Sequence, residues 1–377
     1  MTSLTIAWSR KADPEAAVAA LADQLASASP LELVLFFVCP DLVTDRTAAA
    51  LNQAFPEPLL IGCTTAGEIT PDGYQTGSIA AVAFSKGPFR AVAGGLSDLS
   101  QFAFQDAETL SNDLADHLRA RGGDLAGRSF GCLLIDGLCG KEEALATCFA
   151  RALAGMPLFG ASAGDMLDFA DTRVFFGGAF HRNACVLVIV DCTAPFRVFR
   201  SQTFVSTEQK LVVTDADPSQ RLVRELNAET AIVEYARVNG LEPEQMTPLA
   251  CAKHPLVLRA GGADYVRAVR RVNPDGSLVF FAAIDEGLVL TTAGGWDPIG
   301  NLVSLFGELE QQVGQPDVVL AFDFVQRQQL IEEAQGLERA RAVMAANRMI
   351  GVRSFGEQFS SMHVNQTLTG VAIGRTD

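Results

Sequence analysis

The sequence predicts an α/β fold with two domains, in which mixed β-sheets are flanked by helices. Short apolar runs of strand length alternate with amphipathic helical segments. One motif occurs three times: an apolar pair, a glycine, a few small or polar residues, a second glycine and an acid. A strand and a helix precede each copy and a strand follows it, which indicates an internal repeat. The copies lie at 60–68, 158–165 and 349–357.

The first unit follows a short apolar strand and a helix. Asp13 and Pro14 form a helix start signal, because an acid caps the free N–H groups and proline suits the first helical position. The helix is followed by a strand, helix and strand, then the glycine turn and a further strand. These elements are predicted at 4–8, 13–25, 33–38, 47–55, 58–62 and 78–84.

The second unit repeats this order and adds a hairpin after its glycine turn. Its elements are predicted at 90–94, 107–121, 125–136 and 141–153, followed by the turn at 159–165. Gly177 and Gly178 separate an arm at 173–176 from a return strand that ends at Val190, and paired glycines suit a tight hairpin turn.

We predict a domain boundary after residue 205, giving an N-terminal domain at 1–205 and a C-terminal domain at 206–377. The segment 193–214 is strand-like and has no helical pattern. Leu222, Val223 and Leu226 have helical spacing, which predicts a helix near 218. A further helix, four short strands, a long helix and the third unit follow. They are predicted at 230–238, 255–258, 265–272, 277–281, 287–292, 298–313 and 318–373.

Composition excludes several classes of protein. A net charge of −15 over 377 residues argues against binding to nucleic acid or to an anionic membrane surface. The first ten residues lack a signal-peptide pattern, and no apolar run approaches 18 residues. The eight cysteines form no C-x-x-C pair, which favours reduced, buried thiols. We therefore expect a cytoplasmic protein without membrane insertion.

Motifs of common enzymes are missing from the sequence. Gly137 to Lys141 resemble part of a phosphate-binding loop, but the spacing is too short and Glu142 stands where Ser or Thr is required. There is no dinucleotide-binding glycine fingerprint after a strand, no nucleophile elbow and no H-E-x-x-H helix. These observations predict a non-enzymatic protein.

The chain resembles the FIST family over nearly its whole length. The N-terminal FIST domain is carried by residues 61–69 and 159–165. The C-terminal FIST domain is carried by Glu234, Tyr235, His254-Pro255-Leu256, Arg267, Glu286-Gly287, 355–358 and 365–367. The resemblance implies an intracellular ligand-sensing protein of bacterial signalling. A subgroup binds haem through a histidine, senses nitric oxide, and regulates a histidine kinase or an enzyme of cyclic-di-GMP metabolism, either a diguanylate cyclase or a phosphodiesterase.

Four histidines are candidates for the haem iron. His181 is the first choice, since three phenylalanines surround it in sequence and Arg173 is expected opposite it. His254 is the second choice. His117 is expected on an exposed helix face, and His363 in a long turn, with either a polar binding role or plain solvent exposure. A hydrogen-bonded structural role is the alternative for His181 and His254. Without a C-x-x-C-H motif, the cofactor would be non-covalently bound haem b.

The glycine turns allow a second interpretation. Closely spaced glycines leave backbone N–H groups free to bind anions, although tight turns require glycine for structural reasons alone. The last copy contains a cluster of polar side chains suited to a zwitterionic ligand such as an amino acid, namely Arg353, Glu357, Asn365 and Thr367. Arg173 is the fifth predicted ligand-binding residue.

The leading hypothesis is therefore a sensor that binds a small ligand and regulates a signalling partner, with haem-based nitric oxide sensing as its sharper form. An amino-acid-type sensor without haem is the alternative. A hypothesis from another class is a thiol-dependent hydrolase using Cys63 or Cys251, but no base lies near either cysteine in the sequence. The oligomeric state stays open.

Overall fold

The computed structural model describes residues 3–28, 30–295 and 297–375. Its first two units have the same order of elements. The first comprises β1 (Leu4–Ser9), α1 (Pro14–Leu25), β2 (Leu31–Val38), α2 (Asp45–Ala54), β3 (Leu59–Thr64), β4 (Glu68–Thr70), β5 (Gly73–Gln75) and β6 (Ile79–Ser85). The second comprises β7 (Phe89–Ser97), α3 (Phe104–Ala120), β8 (Ser129–Ile135), α4 (Glu142–Ala152), β9 (Leu158–Ser162), β10 (Val174–Phe176), β11 (Ala179–His181) and β12 (Ala184–Cys192).

The third unit begins with one strand and is then interrupted by an insertion. Its first strand is β13 (Phe196–Ser201). The insertion comprises β14 (Val205–Asp217), β15 (Leu222–Leu226), β16 (Glu229–Thr230), α5 (Ala231–Val238), α6 (Pro248–Lys253), β17 (Leu256–Ala260), β18 (Ala263–Arg267), β19 (Val269–Val272), β20 (Leu278–Phe280) and β21 (Val289–Gly294). The unit resumes with α7 (Pro298–Val313), β22 (Pro316–Phe324), α8 (Val325–Glu333), α9 (Leu337–Ala346), β23 (Met349–Ser354), β24 (Glu357–Phe359), β25 (Met362–Val364) and β26 (Leu368–Gly374).

The three units form three six-stranded sheets that exchange hairpins in a cycle. Each sheet has four strands of its own unit and receives the two-stranded hairpin of another. The strand orders are β1-β6-β2-β3-β10-β11, β7-β12-β8-β9-β24-β25 and β13-β26-β22-β23-β4-β5. In each sheet one central pair is parallel, namely β2 with β3, β8 with β9, and β22 with β23. The predicted mixed sheets and threefold repeat are confirmed.

One apolar core joins the three sheets. It includes residues from Leu4 in β1 to Ile373 in β26, so the third unit shares the core of the first two although the insertion separates them in sequence. Phe322 of β22 lies at its centre, with ring centroids 5.8 Å from Phe37 and 5.4 Å from Phe159. The three units therefore form one body, which we call the core body.

The insertion forms an eight-stranded sheet with its own apolar core. The insertion begins with β14 at Val205, and the division of the chain into domains at residue 205 stays a prediction. The helix predicted near 218 is wrong, because 222–226 forms strand β15. Val223 and Leu226 are buried in the core of the insertion, and β15 pairs with β14 and β20. Sheet pairing on both sides thus outweighs the helical spacing of three apolar residues.

Local signals explain several boundaries. The Asp13 carboxylate accepts a hydrogen bond from the Ala16 N–H at 2.9 Å, and Pro14 begins α1 as predicted. Gly177 and Gly178 have φ values of 59° and 83°, which is the left-handed geometry of a tight hairpin turn. None of the helices in the described residues is both long enough and apolar enough to cross a bilayer.

Candidate functional site in a buried polar layer

The three glycine turns meet and form a ring of backbone hydrogen bonds. The Ala66 N–H of the first turn donates to the Arg353 carbonyl of the third at 3.0 Å. The Gly164 N–H of the second donates to the Thr64 carbonyl of the first at 3.1 Å, and the Phe355 N–H of the third donates to the Ser162 carbonyl of the second at 3.1 Å. These N–H groups are satisfied within the protein, so the ring favours the structural interpretation of the turns.

The acids that end the first and third motifs are held by hydroxyl groups. Thr65 and Ser78 donate to Glu68, the former at 2.5 Å. In the third unit, Ser354 and Thr367 donate to Glu357 at 2.5 and 2.6 Å. Burial raises the pKa of Glu68 to about 7 and holds the pKa of Glu357 well above its usual range. Two of the predicted ligand-binding residues, Glu357 and Thr367, thus bind each other.

Two buried arginines lie beside these acids. Arg353 is 8% exposed, and its guanidinium occupies the space that a Cβ would need at Gly67, whose φ is 119°. Arg327 is 1% exposed, and its Nε donates to Asp323 at 2.5 Å. Asp323 also accepts the Tyr74 hydroxyl at 2.6 Å. Burial lowers the pKa of Arg353, whereas the nearby Glu68 acts in the opposite direction.

The hairpin β24–β25 carries polar side chains toward the insertion. His363 is 1% exposed, and its Nδ1 lies 3.2 Å from the amide nitrogen of Gln358, which also donates to Ser162 at 2.9 Å. Burial, with Arg221 and Arg267 nearby, lowers the pKa of His363 to about 4. The imidazole is therefore neutral at pH 7. The expectation of a solvent-exposed turn at His363 is wrong, because β25 packs between β24 and the insertion.

The insertion completes the site from the other side. Arg267 of β18 is 5% exposed, and its Nη1 donates to the Val266 carbonyl at 3.4 Å. The Asn365 side-chain oxygen accepts the Ala268 N–H at 3.3 Å. The Gln326 amide donates to the Val269 carbonyl at 3.0 Å. The buried polar groups thus lie at the contact between the insertion and the core body.

We call this set of buried polar side chains the polar layer. Within the described residues, several of its atoms have no hydrogen-bond partner. Six are nitrogens of arginine or histidine and two are amide oxygens. They are Nη1 and Nη2 of Arg327, Nε and Nη2 of Arg353, Nε of Arg267, Nε2 of His363, and Oε1 of Gln358 and Gln366. An unsatisfied buried polar group costs about 1–3 kcal/mol, so such a concentration at one place is unusual for a purely structural core.

Of the predicted ligand-binding residues, Glu357 and Thr367 are in direct contact, whereas Arg353 and Asn365 are buried in the same layer with other partners. Arg173 lies apart from them. Its guanidinium pairs with Asp171 at 2.7 Å, and Arg182 pairs with the same carboxylate at 2.7 Å. These two arginines hold the pKa of Asp171 far below its usual range. Arg173 therefore fixes the loop before β10.

His181 has a different environment from the predicted one. Phe175 and Phe180 lie on the opposite face of the hairpin, where their ring centroids are 5.1 and 6.1 Å from that of Phe36. Only Phe176 contacts His181, with the rings stacked at 4.2 Å. The His181 Nε2 lies 3.1 Å from the Phe176 carbonyl oxygen. Across the hairpin His181 is paired with Val174, so the expected position of Arg173 is wrong by one residue.

The other candidate residues are placed as follows. His254 ends α6 and is half-buried, and burial together with Lys253 lowers its pKa. Cys63 is fully buried with a raised pKa, and burial raises the pKa of Cys251 to about 12. Both thiols are thus held in the protonated form, which argues against either as a nucleophile at neutral pH.

The sequence interpretation missed half of the polar layer. Asp323 and Arg327 are four residues apart, but Asp323 belongs to β22 and Arg327 to α8. Because their ion pair crosses the boundary between a strand and a helix, no helical spacing in the sequence indicates it. The sequence indicates Arg267 only through the resemblance to the FIST family. Tyr74 lies 249 residues from its partner Asp323. Only the exchange of the β4–β5 hairpin brings these two side chains together.

Comparison with known proteins identifies the domains. The family model of the FIST N domain matches residues 32–229, and that of the FIST C domain matches residues 231–360. A search of curated proteins finds no match. Among solved structures, a cyanuric acid hydrolase from A. caulinodans is similar, with 9% identity, a TM-score of 0.38 and coverage of 100% of both chains, and a similarity this low carries no inference. FIST domains are small-ligand sensory domains of signalling proteins. The chain belongs to the FIST family.

Proposed function

We propose that this protein is a sensor that binds a carboxylate-bearing small molecule of amino-acid type in the polar layer. The observation that supports the proposal is the excess of donors: six unpartnered arginine and histidine nitrogens face only two unpartnered oxygens among the described residues of the layer. A carboxylate has two oxygens that accept several hydrogen bonds, and it pairs well with the planar donors of arginine. An anionic group therefore matches the layer better than a neutral one.

An amino group of the same ligand would meet acids at the edge of the layer. Glu143 lies close enough to His363 for each to shift the pKa of the other. Its carboxylate accepts the Ala283 N–H at 2.6 Å and the Arg221 guanidinium at 3.0 Å. Glu143 and Arg267 both lie close enough to His363 to shift its pKa, so an acid and a cation are both available to a zwitterion at this edge.

The position of the layer explains how binding would produce a signal. A ligand there contacts both the core body and the insertion, and it shifts their arrangement if it binds one arrangement more tightly. Membership of a family of sensory domains supports a signalling partner, for which we propose a histidine kinase or a diguanylate cyclase or phosphodiesterase. The partner binds the sensor differently in the two arrangements of the insertion.

Thermal-shift screening with amino acids and related carboxylates tests this proposal. We expect at least one ligand to raise the Tm of the whole chain in a saturable manner, and Arg267→Met to weaken its binding by about tenfold, the value of one strong charge-assisted contact. The control is Arg259→Met, an exposed arginine on the neighbouring strand. The proposal fails if no carboxylate stabilises the protein, or if the two variants bind the ligand equally well.

Haem-based nitric oxide sensing at His181 is the second candidate function. If Nε2 donates to the Phe176 carbonyl, the lone pair lies on Nδ1, as an iron ligand requires. Phe176 also lines an apolar groove of about 690 Å³, between β3, α2 and β7, which has no charged residue in its described lining. His181 would supply the ligand atom, and the groove beside its stacking partner Phe176 would supply an apolar wall. The cofactor would supply the iron that binds nitric oxide.

An absorption spectrum after reconstitution with haem tests the second candidate. We expect a Soret band that is lost or shifted in His181→Ala and retained in His117→Ala, whose histidine lies in α3. A band that is the same in both variants would exclude His181 as the ligand. The absence of any band would exclude haem binding. His254→Ala tests the second-choice ligand in the same way.

A further inference from the structure

A large groove lies on the core body away from the polar layer. It has a volume of about 950 Å³ and runs between the C-terminal half of α4, the starts of β8 and β9, strand β13 and the turn of the β24–β25 hairpin. Phe196, Leu158 and Phe359 contribute apolar walls, and Arg128, Arg151 and Arg197 contribute cationic groups. We call it the arginine groove.

The charge of this groove is opposite to that of the protein. The chain has a net charge of −15, yet three arginines and no carboxylate are present among the described lining residues. Arg128 is paired with Asp191 at 3.3 Å. Arg151 stacks on Phe104 at 4.9 Å, and in the described part of the chain neither Arg151 nor Arg197 forms an ion pair. At least two guanidinium groups are therefore available to an external anion.

Comparison of the three units shows that the architecture does not require these arginines. The corresponding groove of the first unit is the apolar one beside Phe176, bounded by α2, the start of β3, strand β7 and the β10–β11 turn. At the third sheet, the corresponding place lies between β1 and the β4–β5 turn. There the indole N–H of Trp8 donates to Asp72 at 3.1 Å. The backbone geometry is shared, but the described lining of the first-unit groove contains no arginine.

We infer that the arginine groove binds a small organic anion with an acyl or aromatic body. Guanidinium groups hold a carboxylate through charge-assisted hydrogen bonds, and the apolar wall buries the body of the ligand. The volume suits a ligand of drug-like size, since such sites are typically about 300–1,000 Å³. This site is separate from the polar layer and does not depend on the function proposed there.

Calorimetric titration of the whole chain with decanoate, below its micelle concentration, tests the inference. We expect saturable binding that is weakened about tenfold in Arg151→Met/Arg197→Met, because two solvent-exposed contacts are lost and each is weaker than a buried one. Arg259→Met/Arg339→Met is the matched control, since it removes the same charge from exposed positions outside the groove. All four arginines are exposed, so we expect both double variants to fold.

Two further ligands separate the contributions of charge and apolar surface. Acetate lacks the acyl body and decanol lacks the charge, so we expect each to bind more weakly than decanoate. Equal affinity of the two double variants for decanoate, or equal affinity for decanoate and decanol, overturns the inference. Binding to phosphatidylglycerol vesicles without binding of decanoate also overturns it, because that result indicates a membrane-binding surface.

Discussion

At the scale of single residues, Glu68 links the polar layer to pH. Its pKa is raised from 4.5 to about 7 mainly by burial, and the hydroxyl donors and Arg353 offset this only in part. The folded protein therefore holds a proton that the unfolded chain has already lost between these two values. The stabilisation from this proton is present at low pH and disappears as pH rises through about 7.

We predict that Glu68→Gln reduces the loss of stability between pH 5 and pH 8. In the natural chain, deprotonation of Glu68 lowers the free energy of unfolding by roughly 2–3 kcal/mol over this range. Glutamine does not titrate, so this loss should be absent in the variant. Urea denaturation at the two pH values measures the effect. Other buried acids with raised pKa values, such as Glu142, remain in both proteins and cancel in the comparison. An unchanged pH dependence would show that Glu68 does not titrate in this range.

At the scale of elements, the β10–β11 hairpin completes the sheet of another unit. Phe175 is fully buried, with ring centroids 5.1 Å from Phe36 and 4.9 Å from Phe180. Phe176 on the opposite face is partly exposed at the apolar groove. The two adjacent phenylalanines therefore offer a matched pair of substitutions.

We predict that Phe175→Ala lowers the free energy of unfolding by about 3–5 kcal/mol and that Phe176→Ala lowers it by less, since only the first creates a cavity in a closed core. Hydrogen exchange should also become faster at Gly62 and Cys63 of β3, which pair with β10. Similar losses in both variants would contradict the placement of the hairpin.

The prediction of elements from sequence succeeded where a local signal exists. The Asp13-Pro14 start of α1 and the Gly177-Gly178 turn are determined by backbone chemistry within a few residues. At 222–226 the apolar spacing fits a helix, but the partners of β15 lie elsewhere in sequence and decide the outcome. The burial of His363 has the same origin, because its neighbours come from α4 and the insertion.

At the scale of the whole molecule, Arg221 links the insertion to the core body. Its guanidinium contacts Glu142 and Glu143 of α4 at 2.5 and 3.0 Å and donates to the Phe281 carbonyl. Glu142 is 2% exposed. Removing the cation would leave a buried carboxyl group without its partner, which is more costly than the loss of an exposed ion pair.

We predict that Arg221→Met destabilises the protein by about 3–5 kcal/mol and that adding Glu142→Gln and Glu143→Gln recovers part of this loss. Hydrogen exchange should become faster in α4 and β15 before it does in β2 and β22, because the contact with the insertion opens first. Equal stability of the single and triple variants would show that the ion pairs do not hold the two bodies together.

The repeat was visible in the sequence, but the cycle of hairpins was not. The three glycine motifs indicated three similar units, and the structure confirms them. Nothing in the sequence of β4–β5, however, indicates that it pairs with β23 rather than with its own unit. For the same reason the candidate site was half found: Arg353 and Glu357 lie inside a motif, whereas Tyr74 and Asp323 meet only through this exchange.

The hairpin cycle also affects synthesis of the chain on the ribosome. The first sheet needs β10–β11, which ends at His181, and the second needs β24–β25, which ends at Val364. The second sheet must therefore wait with an unpaired edge at β9, and the β4–β5 hairpin of the first unit must wait for its partner β23, while the whole insertion is translated. Exposed edges of this kind promote association between chains. Early folding of the insertion on its own core would make the chain between β9 and the β24–β25 hairpin more compact, so that the hairpin stays closer to its partner strand.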